Sequence, residues 1–179
     1  MTTLLLVIIY IAFISLGLPD SMLGAAWPVM QAELGLPLAG AGLVSMIVSG
    51  CTIISSLFSG FLIRRLGTGK LMLISVLMTA LALLGYSYSQ TYIWLCLIAV
   101  PLGLGAGAVD AALNDFVARN FAARHMSWLH SFWGVGATTG PLIMAFMLKH
   151  TGLWQMGYRI IAIIQFVLVA ILALSMPLW

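Results

Sequence analysis

Two carboxylates stand in stretches otherwise too apolar for water. Asp20 lies in the run Gly17-Leu18-Pro19-Asp20, and Asp110 lies in PLGLGAGAVDAALNDFVAR, residues 101–119. A charge at bilayer depth costs roughly 3 kcal/mol or more, so each acid must face protein or a wet hollow rather than lipid. There it can hold a proton, hold a cation, or accept hydrogen bonds from a bound solute. The plainer alternative is that each accepts from neighbouring hydroxyls or backbone groups. Gly103, Gly107, Asp110 and Asn114 recur at steps of four, three and four, so they share one helical face. Asp110 and Asp20 are the expected solute- or proton-binding residues, with Asn114 and Trp133 as further solute contacts. Trp133 and Trp27 offer ring faces to a sugar or an aromatic solute, and serve equally well as packing.

Asp115 and Arg119 are four apart and can pair along the helix. With His130, placed by its position at a depth similar to Asp115, and with Arg64 and Arg65 they make up an expected cytoplasmic gate. Catalysis is not expected. The nearest approach to a serine-nucleophile motif, Gly85-Tyr86-Ser87-Tyr88-Ser89, lacks its second glycine, and no zinc-protease motif or phosphate loop occurs. Cys51 and Cys96 sit in apolar segments without metal-ligand or redox spacing, so neither a metal nor a cofactor is expected.

The elements that must position these residues follow from composition. Hydrophobic residues make up 63% of the chain and charged residues 6%, whereas a soluble domain has about a quarter charged. Mean hydropathy is +1.17, so the chain belongs in a lipid bilayer. At about 20 residues per crossing it divides into six spans, at about 3–30, 39–63, 71–88, 92–120, 127–149 and 158–179, which form one all-α transmembrane domain over 1–179. The first span is expected to be retained rather than cleaved as a signal, and to bend at Pro19.

Seven Lys and Arg against four acids give a formal charge of +3, too sparse for nucleic acid and better read as topology. Arg64, Arg65, Lys70, Arg119 and Arg124 fall at one end of the spans and Lys149 and Arg159 at the other. The positive-inside rule then puts both termini in the cytoplasm, in a multi-pass protein of the plasma (cytoplasmic) membrane. Spans one, two, four and five are rich in Gly, Pro, Ser and Thr. Span three has one Gly near its end, and the body of span six has one polar residue, Gln165. Spans three and six are therefore expected against lipid, and the other four around something polar.

These features resemble the amino-terminal six-helix half of a major facilitator superfamily transporter. The resemblance is carried by GLPD at 17–20, the basic connection after Gly60, GLGAGAVDAALN at 103–114 and LHSFWGVGATTGP at 129–141. The last two look most like the sugar and fucose–proton symporter branch. That likeness implies proton coupling and substrate binding at Asp20 and Asp110. It also implies a fold whose helices three and six lie outside the cavity. Arg64 stands where the family's loop motif has an acid, so the resemblance does not extend to an acid-based latch. The implied function is secondary active transport of a small polar solute, with a sugar as the solute class and protons as the coupling ion. The chain would supply one half of a two-bundle transporter. Its partner is expected to be a second six-helix half, either another copy of the chain or a carboxy-terminal half. The other function class compatible with these residues is a non-transporting scaffold subunit that binds another membrane protein through small-residue faces.

Overall fold

The computed structural model describes residues 2–179. The chain folds into α1 (Thr2–Gly17), α2 (Met22–Leu34), α3 (Gly40–Leu66), α4 (Thr68–Ser87), α5 (Tyr92–Asn120), α6 (Arg124–Thr151) and α7 (Trp154–Leu174). A single 3-10 turn follows at Met176–Leu178, and no strand occurs among the described residues. Among the described residues, six segments are long and apolar enough to cross a membrane, with α1 and α2 sharing the first, Thr3–Leu34. The protein is an integral, multi-pass, all-α membrane protein.

Two close helix pairs set the frame, and glycine makes both possible. On one side α5 lies against α3. A Cβ added at Gly103 would strike the Val48 carbonyl, and one at Gly107 would strike the Thr52 carbonyl. At this spacing the α3 hydroxyls reach the α5 backbone. Ser55 Oγ donates to the Leu104 carbonyl at 2.6 Å, and Ser56 Oγ donates to that of Gly107 at 3.2 Å. On the other side α1 lies against α6, with Gly136 under the Ile14 carbonyl and Gly140 under that of Leu18. Small residues in apolar helices act here as they generally do in membranes, bringing backbones close enough for van der Waals and hydrogen-bond contact.

Helices α4 and α7 pack on each other behind these pairs and join them. Each turns an apolar row outward, Ile74, Leu77 and Leu81 on α4 and Ile163, Ile164 and Val167 on α7. Their inner faces are buried, however, and α4 carries Ser75, Thr79 and Tyr86 inward. The expected division into lipid-facing and cavity-lining spans therefore holds by face and not by whole helix. Two apolar clusters close the ends. One gathers Phe13, Leu113 and Leu129 near the chain termini; the other gathers Trp27, Met30 and Trp154 near Glu33.

The glycine contacts separate two chemically identical changes. Gly140→Ala places a methyl against the Leu18 backbone, whereas Gly24→Ala meets nothing within 4 Å. Overpacking costs about 1–3 kcal/mol, so Gly140→Ala is expected to lower the thermal unfolding midpoint in detergent by roughly 3–10 °C. Gly24→Ala should leave that midpoint unchanged or slightly higher, and equal shifts for the two variants would contradict the packing.

Candidate functional site

The site begins with a missing hydrogen bond. Pro19 has no N–H, so the carbonyl four residues earlier, that of Ser15, loses its helical partner. Gln165 Nε2 on α7 donates to that carbonyl at 3.1 Å, and Gln165 Oε1 accepts from Thr79 Oγ1 on α4 at 2.7 Å. Both side chains are buried. The first span is thereby held open between Gly17 and Met22 by one amide and one hydroxyl from the two rear helices. Asp20 sits in this break, exposed, and one of its carboxylate oxygens accepts from Trp133 Nε1 of α6 at 2.8 Å.

Asp20 looks onto a hollow between the α1/α6 and α3/α5 pairs. An outer compartment of about 430 Å³ is lined by Pro19, Asp20, Leu23, Ser45, Ser49, Thr52, Tyr86 and Tyr158 among others. An inner compartment of about 310 Å³ is lined by Leu16, Asp20, Asp110, His130 and Trp133. Asp20, Val48, Thr52 and Ala106 border both, so the two compartments adjoin. Two carboxylates, an imidazole, hydroxyls and aromatic rings line it, and no Lys or Arg does. Such a wall accepts hydrogen bonds from hydroxyl or ammonium donors and repels anions.

Asp110 is half-buried on α5. Asn114 Nδ2 donates to its Oδ1 at 3.0 Å and to its carbonyl at 2.9 Å. The buried Asn114 Oδ1 has no partner among the described residues. Asn114 thus touches Asp110 and is not part of the lining. Trp27, in contrast to Trp133, is packed away, its ring against Gly40.

Of the five residues expected at a gate, His130 lines the hollow, and Asp115, Arg119, Arg64 and Arg65 do not. Arg119 Nη2 pairs with Asp115 Oδ1 at 2.7 Å, partly exposed, outside the lining of the hollow. Arg64 and Arg65 are exposed in the last turn of α3, and Arg65 lies over the Phe61 ring at 5.1 Å. His130 stands in the inner compartment with Asp110, its ring edge-on to Phe13 at 6.1 Å. Tyr86 and Tyr158, stacked at 5.2 Å, bring the two rear helices to the wall of the outer compartment. Sequence reading missed both, because a tyrosine in an apolar span carries no signal of which way it points.

The chain has recognisable relatives. A family model described as Major Facilitator Superfamily matches residues 9–178. Synaptic vesicle glycoprotein 2A of Rattus norvegicus is 25% identical over 153 residues, 82% of this chain and 20% of that protein. The proteins of that name from Homo sapiens and Mus musculus match to the same extent. The chain therefore spans about a fifth of the length of these curated relatives.

The hollow can be tested by thiol labelling. Ser49 is exposed and lines the outer compartment, whereas Ser55 is buried against α5, its hydroxyl spent on the Leu104 carbonyl. In a background with Cys51 and Cys96 replaced by serine, Ser49→Cys is expected to react with a hydrophilic maleimide about tenfold faster or more than Ser55→Cys. Equal rates would mean that no water reaches this wall.

Proposed function

We propose, for a chain that belongs to the Major Facilitator Superfamily, that it moves a sugar-like polar solute across the membrane together with protons. Transport of small solutes is the function of the family; the solute class and the coupling ion are our reading. The observation that supports it is the shared hollow. Asp20 and Asp110, from separate spans, both line a hollow of about 310 Å³ whose remaining polar groups are a hydroxyl, an indole and an imidazole. Sugar hydroxyls donate to carboxylates, and the Trp133 ring offers a face to an apolar sugar surface.

Asn114 suits a proton-binding role for Asp110. Its Nδ2 donates to Asp110 Oδ1, a bond that persists when the other carboxyl oxygen takes a proton. His130 in the same compartment can pass the proton onward or balance the carboxylate charge.

The hollow is flanked by α3 and α6, which expose Met46, Leu57, Trp128, Leu142 and Phe146. Exposed apolar side chains beside a polar cleft suit a second six-helix half that closes the space, either another copy or a carboxy-terminal half. The Lys and Arg distribution favours cytoplasmic termini in a plasma membrane. In that setting Asp115, Arg119, Arg64 and Arg65 serve the cytoplasmic mouth. A purely scaffolding role would not require two acids on a wet hollow.

Uptake into proteoliposomes tests the reading. Asp110→Asn is expected to reduce pH-gradient-driven sugar uptake by about tenfold or more while sparing sugar exchange without a gradient. Gradient-driven uptake at the wild-type rate would remove the proton role, and anions outcompeting sugars would remove the solute class.

A further inference from the structure

A second polar hollow lies at the opposite end of the bundle from the chain termini. It encloses about 430 Å³ between the end of α2, the end of α4 and the start of α7. Glu33, Tyr88, Gln155 and Arg159 line it. Glu33 is anchored but not neutralised. Its Oε2 accepts from Trp154 Nε1 at 2.6 Å and its Oε1 from Gln155 Nε2 at 3.0 Å, and both donors are uncharged. Arg159 is likewise uncompensated. Its guanidinium lies over the Tyr88 ring at 5.0 Å and reaches the Met156 sulfur at 3.8 Å. Its Nε is enclosed and without an acceptor, and the ion pair found among the described residues is Arg119–Asp115.

One acid and one guanidinium thus share a hollow without pairing, each held by neutral neighbours. A guanidinium in such a place is a ready seat for a phosphate or carboxylate, to which it donates two parallel hydrogen bonds. The acid is a seat for an ammonium. Gln155 Oε1, buried and unpartnered, adds an acceptor that an N–H donor can satisfy and a quaternary ammonium cannot. The matching ligand carries both charges a short linker apart, with hydrogens on its nitrogen.

We propose that this hollow binds the headgroup of an ethanolamine phospholipid, phosphate on Arg159 and ammonium between Glu33 and Gln155. The same charged pair occurs in free phosphoethanolamine; location favours the lipid. The hollow sits where helices end, at the depth of lipid headgroups, and its rim carries exposed Tyr88 and Leu153, an aromatic and an apolar side chain beside which acyl chains can lie. This assignment stands apart from the transport reading and does not use its residues.

Native mass spectrometry of the purified chain, titrated with ethanolamine, choline and glycerol phospholipids of identical acyl chains, tests it. The ethanolamine lipid is expected to be retained about tenfold more tightly than either of the others. Arg159→Gln should weaken all three lipids by about tenfold, Arg159→Lys should restore part of that binding, and Glu33→Gln should bring the ethanolamine and glycerol lipids level. A thermal melt of each variant without added lipid separates loss of binding from loss of fold, and the lysine variant carries the test if the glutamine variant is unstable. Unchanged adducts in Arg159→Gln, or glycerol lipid held as tightly as ethanolamine lipid by the wild type, would overturn the site. Free phosphoethanolamine displacing the lipid at equal concentration would overturn the lipid source and assign the hollow to a soluble zwitterion.

Discussion

The hydrogen bond from Gln165 to the Ser15 carbonyl is the contact on which the polar hollow depends. A proline inside a membrane helix leaves a bare carbonyl, and hydrocarbon offers it nothing. The bundle supplies an amide from α7, itself fixed by Thr79 from α4, and the first span can then stay broken at mid-length. Only in that break does Asp20 leave the helix wall and stand in the open space, with Trp133 to hold it. Had the span run straight, the same residue would have been one more position on a helix face packed tightly against α6.

Glycine acts with this break rather than separately from it. Gly17, Gly136 and Gly140 bring α1 and α6 into backbone contact just around the proline, and Gly103 and Gly107 do the same for α5 and α3. Close packing within each pair concentrates the free volume between the pairs. A bundle of evenly spaced helices with larger side chains would share that volume out as small voids. Here it collects in two adjoining hollows that share Asp20, Thr52 and Ala106.

Much of this was legible in the chain because the signals are strong and local. Six apolar runs punctuated by short polar connections specify a six-helix membrane bundle, and steps of three and four place Gly103, Gly107 and Asp110 on one face. Direction in space was less legible. Gln165 reads as a lone polar residue in a lipid-facing span because nothing nearby in sequence names its partner, a carbonyl 150 residues away. His130 reads as a neighbour of Asp115 when depth alone is counted, yet rotation about α6 puts it beside Asp110. Tyr86 and Tyr158 do not read as cavity residues for the same reason. Periodicity gives the face of a residue relative to its own helix, and the rotation of that helix is set by distant packing.

The four acids of the chain show how charge is handled across the whole molecule. Asp115, at an end and partly exposed, is the one paired with a cation, Arg119. The other three are held by neutral donors: Asp20 by an indole, Asp110 by an amide, and Glu33 by an indole and an amide. A neutral N–H fixes the position of a carboxylate while leaving its charge to act on whatever enters the adjoining space. A fixed arginine would cancel that charge and fill the volume. Structural stability alone would be served as well or better by burying an apolar residue, since an isolated charge in a low dielectric is expensive. Positioned but uncancelled carboxylates are the arrangement that binding requires, and here each of them borders a hollow large enough to hold something.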